Sequence, residues 1–154
     1  LHAIARERWA SVDPLQLAAR LELPERYAAL SKDVARDAVT FAEIAAQVDE
    51  VARFPGRVVA GADAVLAELE TCIVRHGLDT GEAASAVVGD VRAWAKANGV
   101  SVRDALQPMR QVLTGQDHGP GLDLVLRAIG TDAALSRIHV ARGAASLPTG
   151  DGGR

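Results

Sequence analysis

Aromatic residues are scarce in this 154-residue sequence: two Trp, two Phe and one Tyr make up 3% of it. A core without aromatic bulk must be built from Ala, Val, Leu and Ile, and the 49% hydrophobic content supplies them. A single cysteine, Cys72, excludes an internal disulfide framework and any multi-cysteine zinc site. Basic charge is not in excess: 17 Lys and Arg against 20 Asp and Glu leave a formal charge of −3. That balance excludes a broadly basic, histone-like DNA binder and leaves room only for a local patch. No run approaches the ~18 consecutive apolar residues of a membrane span, so no membrane partner is expected. The N-terminal segment, Leu1-His2-Ala3-Ile4-Ala5-Arg6-Glu7-Arg8-Trp9, lacks the apolar stretch of a signal peptide, and a cytoplasmic location is expected. The missing initiator Met points to a piece of a longer chain. The length suits one domain or two small helical subdomains.

What is present is a series of helix signals. Asp13-Pro14 reads as an N-cap and first helical residue, opening a short helix to about Leu21, and Pro24 starts another through Tyr27 and Leu30. Thr40 and Glu43 have capping-box spacing, followed by an apolar stripe of Phe41, Ile44, Ala45, Val48 and Val51. Phe54-Pro55-Gly56-Arg57 ends that helix. The next runs from about Ala60 to His76, with Val65, Leu66, Leu69, Cys72 and Ile73 inward and Gly77 as its stop. Thr80 opens a helix carrying Ala83, Val87, Val91, Trp94 and Ala95, and Ser101 opens one carrying Leu106, Met109, Val112 and Leu113. Pro120 falls in the first turn of another with Leu122, Val125, Leu126 and Ile129 inward and Gly130 as its stop; Thr131-Asp132 begin a last short helix through Ile138. No run alternates with period two for long enough to make a sheet, so the fold class is all-α. The residues after Ala141 cannot bury a face, and a disordered tail is expected over 142–154.

Catalytic constellations are lacking. The four His are scattered, Cys72 sits on an apolar stripe as a small core residue, and neighbouring carboxylates such as Asp49-Glu50 fit solvated helix faces. Leu30-Ser31-Lys32 is read as a surface turn. No catalytic residue and no metal ligand set is expected. The Gly-rich stretch Gly115-Gln116-Asp117-His118-Gly119-Pro120-Gly121 is different. It has no Gly-Lys-Ser/Thr ending and no preceding strand, which argues against a phosphate loop. Gly115 and Pro120 stand where a helix stop and a helix start belong, and the exposed Gly backbone beside Gln107 and Arg110 also makes a docking surface.

These residues carry a resemblance. Pro108-Met109-Arg110-Gln111-Val112-Leu113-Thr114-Gly115, then Gly119-Pro120-Gly121-Leu122, then Ile129-Gly130 and Leu135-Ser136-Arg137-Ile138, resemble the C-terminal end of bacterial glutamyl-tRNA synthetases, class I aminoacyl-tRNA synthetases. The family pattern is Pro-Leu-Arg-x-Ala-Leu-Thr-Gly, a loop ending in Pro-x-Leu, a Leu-Gly-Lys segment and a closing Arg-Leu. Thr40-Phe41-Ala42-Glu43-Ile44 is similar to the helix start that opens the family's anticodon-binding region, and Ser11-Val12-Asp13-Pro14-Leu15 to the lead-in before it. The resemblance covers about residues 5–140.

It implies an anticodon-binding helical cage of two small subdomains: 1–100, the first helical subdomain with connecting helices, and 101–141, the anticodon-contacting part. Gln107 and Arg110 would lie against the anticodon loop, and the Gly119-Pro120-Gly121-Leu122 turn would press on the first two anticodon bases through backbone groups and the Leu122 side chain. Unstacked loop bases are read on their edges and stacked on guanidinium or flat apolar surfaces, which needs no large positive field. Arg110 could instead pair with Asp104 or Asp117. Arg103, Arg127 and Arg137 are expected on solvated helix faces, with phosphate contact as the lesser reading. By resemblance the partner is tRNA-Glu, the state is monomeric, and an N-terminal catalytic domain, continuous with this chain, ligates glutamate to tRNA with ATP and Mg. This chain itself needs no cofactor. A stand-alone helical interaction module that keeps the fold without binding tRNA is the alternative.

Three departures stand out. Gly119 occupies a position where many family members have Thr, Met109 replaces Leu, and Thr131-Asp132 replaces a Gly-Lys continuation. The family's reader of the third anticodon base has no counterpart that the sequence identifies. Charge is uneven along the chain: residues 1–100 hold 11 basic and 15 acidic side chains, and residues 101–154 hold six and five.

Overall fold

The computed structural model describes residues 12–38 and 40–143. Within them the chain forms α1 (Pro14–Arg20), α2 (Ala28–Ala35), α3 (Phe41–Arg53), α4 (Asp63–His76), α5 (Gly81–Ala97), α6 (Val102–Thr114) and α7 (Leu122–Arg142). The described residues contain no strand, in agreement with the all-α expectation. Four small polar residues set the helix starts. Asp13, Thr40, Thr80 and Ser101 each accept a hydrogen bond from the backbone N–H three residues on, at 3.0–3.2 Å. Each satisfies one of the donors left over at a helix N-terminus, a contribution of about 1 kcal/mol.

Several expectations are corrected. The helix expected at Pro24 begins as a 3-10 turn, Glu25–Tyr27, and passes into α2, which runs beyond Leu30 to Ala35. Leu30-Ser31-Lys32 is therefore helical rather than a turn, with Leu30 and Ser31 buried. Phe41 lies at the edge of its stripe, 37% exposed, while Ile44, Val48 and Val51 face inward. Pro120 precedes α7 instead of lying in its first turn; Gly121 is the N-cap residue. The reason is that the Pro120 carbonyl is engaged from outside by Arg110 and closes no helical turn. Gly130 does interrupt the helix, with φ 84° and ψ 173°, and the helix resumes past Ile138 to Arg142. Arg142, placed in the tail by sequence, ends the helix paired with Asp63 at 2.9 Å and Glu70 at 3.5 Å. The rest of that tail, 144–154, and Ser11 of the lead-in lie outside the described residues.

One cluster of buried apolar side chains extends from Leu17 to Ala141 and takes members from both sides of residue 100. It is built from Leu, Val, Ile and Ala, with Tyr27, Met109 and Cys72 filling the remainder. α7 is its hub: it packs against every described helix except α1. Within the cluster α4 and α5 form the most extensive helix pair, and Ala84 and Ala95 of α5 are fully buried. This frame holds the α6–α7 connection, residues 115–121, against the ends of α2 and α3.

Candidate nucleic-acid interface

α6 ends at Thr114 because Gly115 adopts φ 72° and ψ 10°, a left-handed conformation that glycine takes without steric cost. A side chain there is excluded twice over, since an added Cβ would stand 2.5 Å from the Phe54 ring. Thr114 secures the exit: its hydroxyl donates to Arg110 O at 2.9 Å and accepts from Gln116 N at 3.2 Å.

The loop that follows is tied down along its length. Arg110 Nη1 donates to Pro120 O at 2.8 Å, and Gln107 Nε2 donates to Asp117 Oδ1 at 3.0 Å. Gln111 donates to the same carboxylate oxygen and accepts from Arg57 Nη2 at 2.6 Å. Gln116 Nε2 reaches Glu50 at 2.9 Å, and Gly121 N–H points to Asp33 Oδ2 at 3.4 Å. Gly119 is exposed at the tip of this arrangement.

The expected site residues therefore converge, with two corrections. Gln107, Arg110, Gly119, Pro120 and Gly121 share one surface. Arg110 is bound to a neutral carbonyl and forms no ion pair with Asp104 or Asp117, whose carboxylate serves the glutamines. With one of its five N–H donors on Pro120, the guanidinium keeps donors to offer. Leu122 departs from expectation: it is 4% exposed and packs in the core, leaving the turn's backbone and Pro120 as the available surface. Arg137 departs too, being buried and bonded to the carbonyls of Leu113 and Ala52, so it cannot meet a phosphate. Arg103 is exposed and Arg127 half-buried.

Residues from far upstream complete the surface. Asp33, Arg36 and Asp37 at the end of α2, Gln47 of α3, and Gly119-Pro120 line an open cleft of about 350 Å³. Arg36 pairs with Asp33 at 3.4 Å. Nothing in the sequence pattern marks these α2 and α3 positions, because only the packing of α7 against α2 brings them beside the loop. As a whole the site offers directed donors, acceptors and exposed backbone. Cys72, the one thiol, is buried; desolvation first and a 3.4 Å hydrogen bond to Glu68 second push its pKa up to about 12, so it stays protonated.

The family model described as "Anticodon binding domain" matches residues 7–142, from before α1 to the last residue of α7. This chain belongs to the anticodon binding domain family. Among curated relatives of the domain, glutamate–tRNA ligase 1 of Rubrobacter xylanophilus is 36% identical over 87 residues, 56% of this chain and 20% of that protein. Glutamate–tRNA ligase 2 of Acidithiobacillus ferrooxidans is 41% identical over 64 residues, 39% of this chain and 13% of that protein. Glutamate–tRNA ligase of Halalkalibacterium halodurans is 36% identical over 64 residues, 42% of this chain and 13% of that protein. The domain thus spans about a fifth or less of the length of these relatives. None of its described helices is long and apolar enough to cross a membrane.

Proposed function

We propose that this chain is the anticodon-binding portion of a glutamate–tRNA ligase and recognises the anticodon loop of tRNA-Glu as a monomer in the cytoplasm. The observation that carries the reading is the match to the anticodon binding domain over 7–142, joined to a 115–121 loop whose backbone and flanking amides are held at the surface. Arg110 stacks on or donates to a loop base, Gln107 reads a base edge with the amide oxygen that Asp117 leaves unoccupied, and the Gly119–Gly121 backbone approaches bases closely. Glutamate activation with ATP and Mg belongs to the remainder of the enzyme.

The test is a titration with an RNA stem-loop carrying the tRNA-Glu anticodon, at low and at moderate salt. Binding should weaken with salt where phosphates are contacted. Arg110→Ala should lower affinity by ~1–3 kcal/mol, the scale of losing one stacked base contact. Equal binding by Arg110→Ala and wild type would remove Arg110 from the site. Absence of wild-type binding at low salt would overturn the reading in favour of a stand-alone helical interaction module.

A further inference from the structure

Among the described residues Arg137 is the one buried charged side chain, 4% exposed, and it forms no ion pair. Its guanidinium donates from Nη1 to Leu113 O at 2.6 Å and from Nη2 to Ala52 O at 3.0 Å, with its carbon 5.8 Å from the Phe54 ring centroid. Burial lowers its pKa, yet an arginine remains charged at neutral pH. Both carbonyls belong to the last turns of helices, α6 and α3, where backbone acceptors lack helical partners and the negative end of the helix dipole collects. Two helix C-termini thus stand in for a counter-ion.

Those two termini flank the loop. Leu113 lies just ahead of Gly115, and Ala52 just ahead of Phe54, the ring that seals the space a side chain at 115 would need. Arg137 itself sits beyond the Gly130 break, on the second half of α7. We infer that Arg137 is a positioning residue for recognition: by joining the ends of α3 and α6 to α7, it sets where the 115–121 loop presents its backbone and how Arg110 reaches Pro120. This inference rests on the RNA-binding reading of the loop. Its role needs the planar two-handed fork of a guanidinium, which a lysine ammonium cannot reproduce. A methionine fills similar space and leaves both carbonyls without a donor.

The test compares wild type with Arg137→Lys and Arg137→Met, using the anticodon stem-loop RNA at a low temperature where circular dichroism shows each protein folded. Amide nitrogen–proton spectra of the free proteins give a second readout through Gly115, Gly119 and Gly121, with Gly77 and Gly99 as references outside the loop. Arg137→Met should weaken RNA binding roughly tenfold and displace the three loop signals, with Arg137→Lys intermediate. A lower melting temperature with unchanged affinity and unmoved loop glycines would make Arg137 a structural anchor only and overturn the inference. Should Arg137→Met fail to fold, Arg137→Lys and Phe54→Leu decide, and unmoved loop signals in both would overturn it equally. If wild type binds no RNA, the proposed function falls, while the glycine signals still report whether Arg137 positions the loop.

Discussion

Across α4, α5 and the end of α7, carboxylates meet basic side chains, whereas around the 115–121 loop they mostly meet neutral amides. Asp90 takes His76 at 2.7 Å and Arg75 at 3.2 Å, and Arg142 bridges Asp63 and Glu70. Beside the loop, Asp117 accepts from Gln107 and Gln111, Glu50 from Gln116, and Asp33 from the Gly121 N–H. Exposed ion pairs contribute about 0–1 kcal/mol and are screened by salt. Amides and backbone groups are directional and uncharged, which suits them to reading base edges. The difference reconciles a formal charge of −3 with the proposed RNA-reading surface. Total charge governs non-specific attraction; placed donors and acceptors govern recognition.

The strongest way to break this comparison is at the loop's entry. Gly115→Ala puts a methyl 2.5 Å from Phe54 at a φ of 72°. Strain and overpacking together should cost about 2–4 kcal/mol in urea unfolding, and RNA binding should fall with it. An unchanged unfolding midpoint would mean that Phe54 yields easily and that the loop is not anchored there.

A matched pair sharpens the contrast. Thr114→Val removes the hydroxyl that serves Arg110 O and Gln116 N, and Thr80→Ala removes the N-cap of α5. Both should cost about 1 kcal/mol of stability. Only the first should weaken RNA binding, because only it loosens the loop. Equal effects on affinity would dissolve the distinction between the two regions.

The smallest effect belongs to Asp90. The hydrogen bond from His76 chiefly, and the nearby cationic charge, hold its carboxyl below the usual carboxylate range. Ionised Asp90 is favoured more in the folded than in the unfolded protein. Its contribution is therefore present at neutral pH and fades as pH falls through and below the ordinary carboxylate range. Asp90→Asn should give a slightly lower melting temperature at neutral pH and a shallower acid-side decline, with RNA binding intact. Identical melting profiles for variant and wild type would show that this pair stabilises nothing.

Much of the fold was legible because helix ends are local. Each cap at Asp13, Thr40, Thr80 and Ser101 is a contact between residues three apart, and the stops at Gly77 and Gly115 answer to backbone angles. Inward positions on α4 were legible for the same reason, since period 3.6 places Val65, Leu66, Leu69, Cys72 and Ile73 on one side. Phe41 lies at the edge of its stripe, where the degree of burial is set by tertiary packing and not by the period. For the site, the Gly-rich connection and Arg110 could be found by motif and resemblance. Asp33, Asp37 and Gln47 could not, as no spacing rule links them to Gly119.

The sequence by itself determined the all-helical class, the caps and stops of most helices, and the loop that brings Gln107, Arg110 and the Gly119–Gly121 turn to one place. Only the tertiary structure decided which of these groups are available. It buried Leu122 in the core, withdrew Arg137 from solvent to cap two helix C-termini, and turned Phe54 onto Gly115. The physical reason is range. Capping and periodicity are satisfied within one helical turn, but a guanidinium's partners are chosen by whichever unpaired carbonyls the packed helices deliver to it.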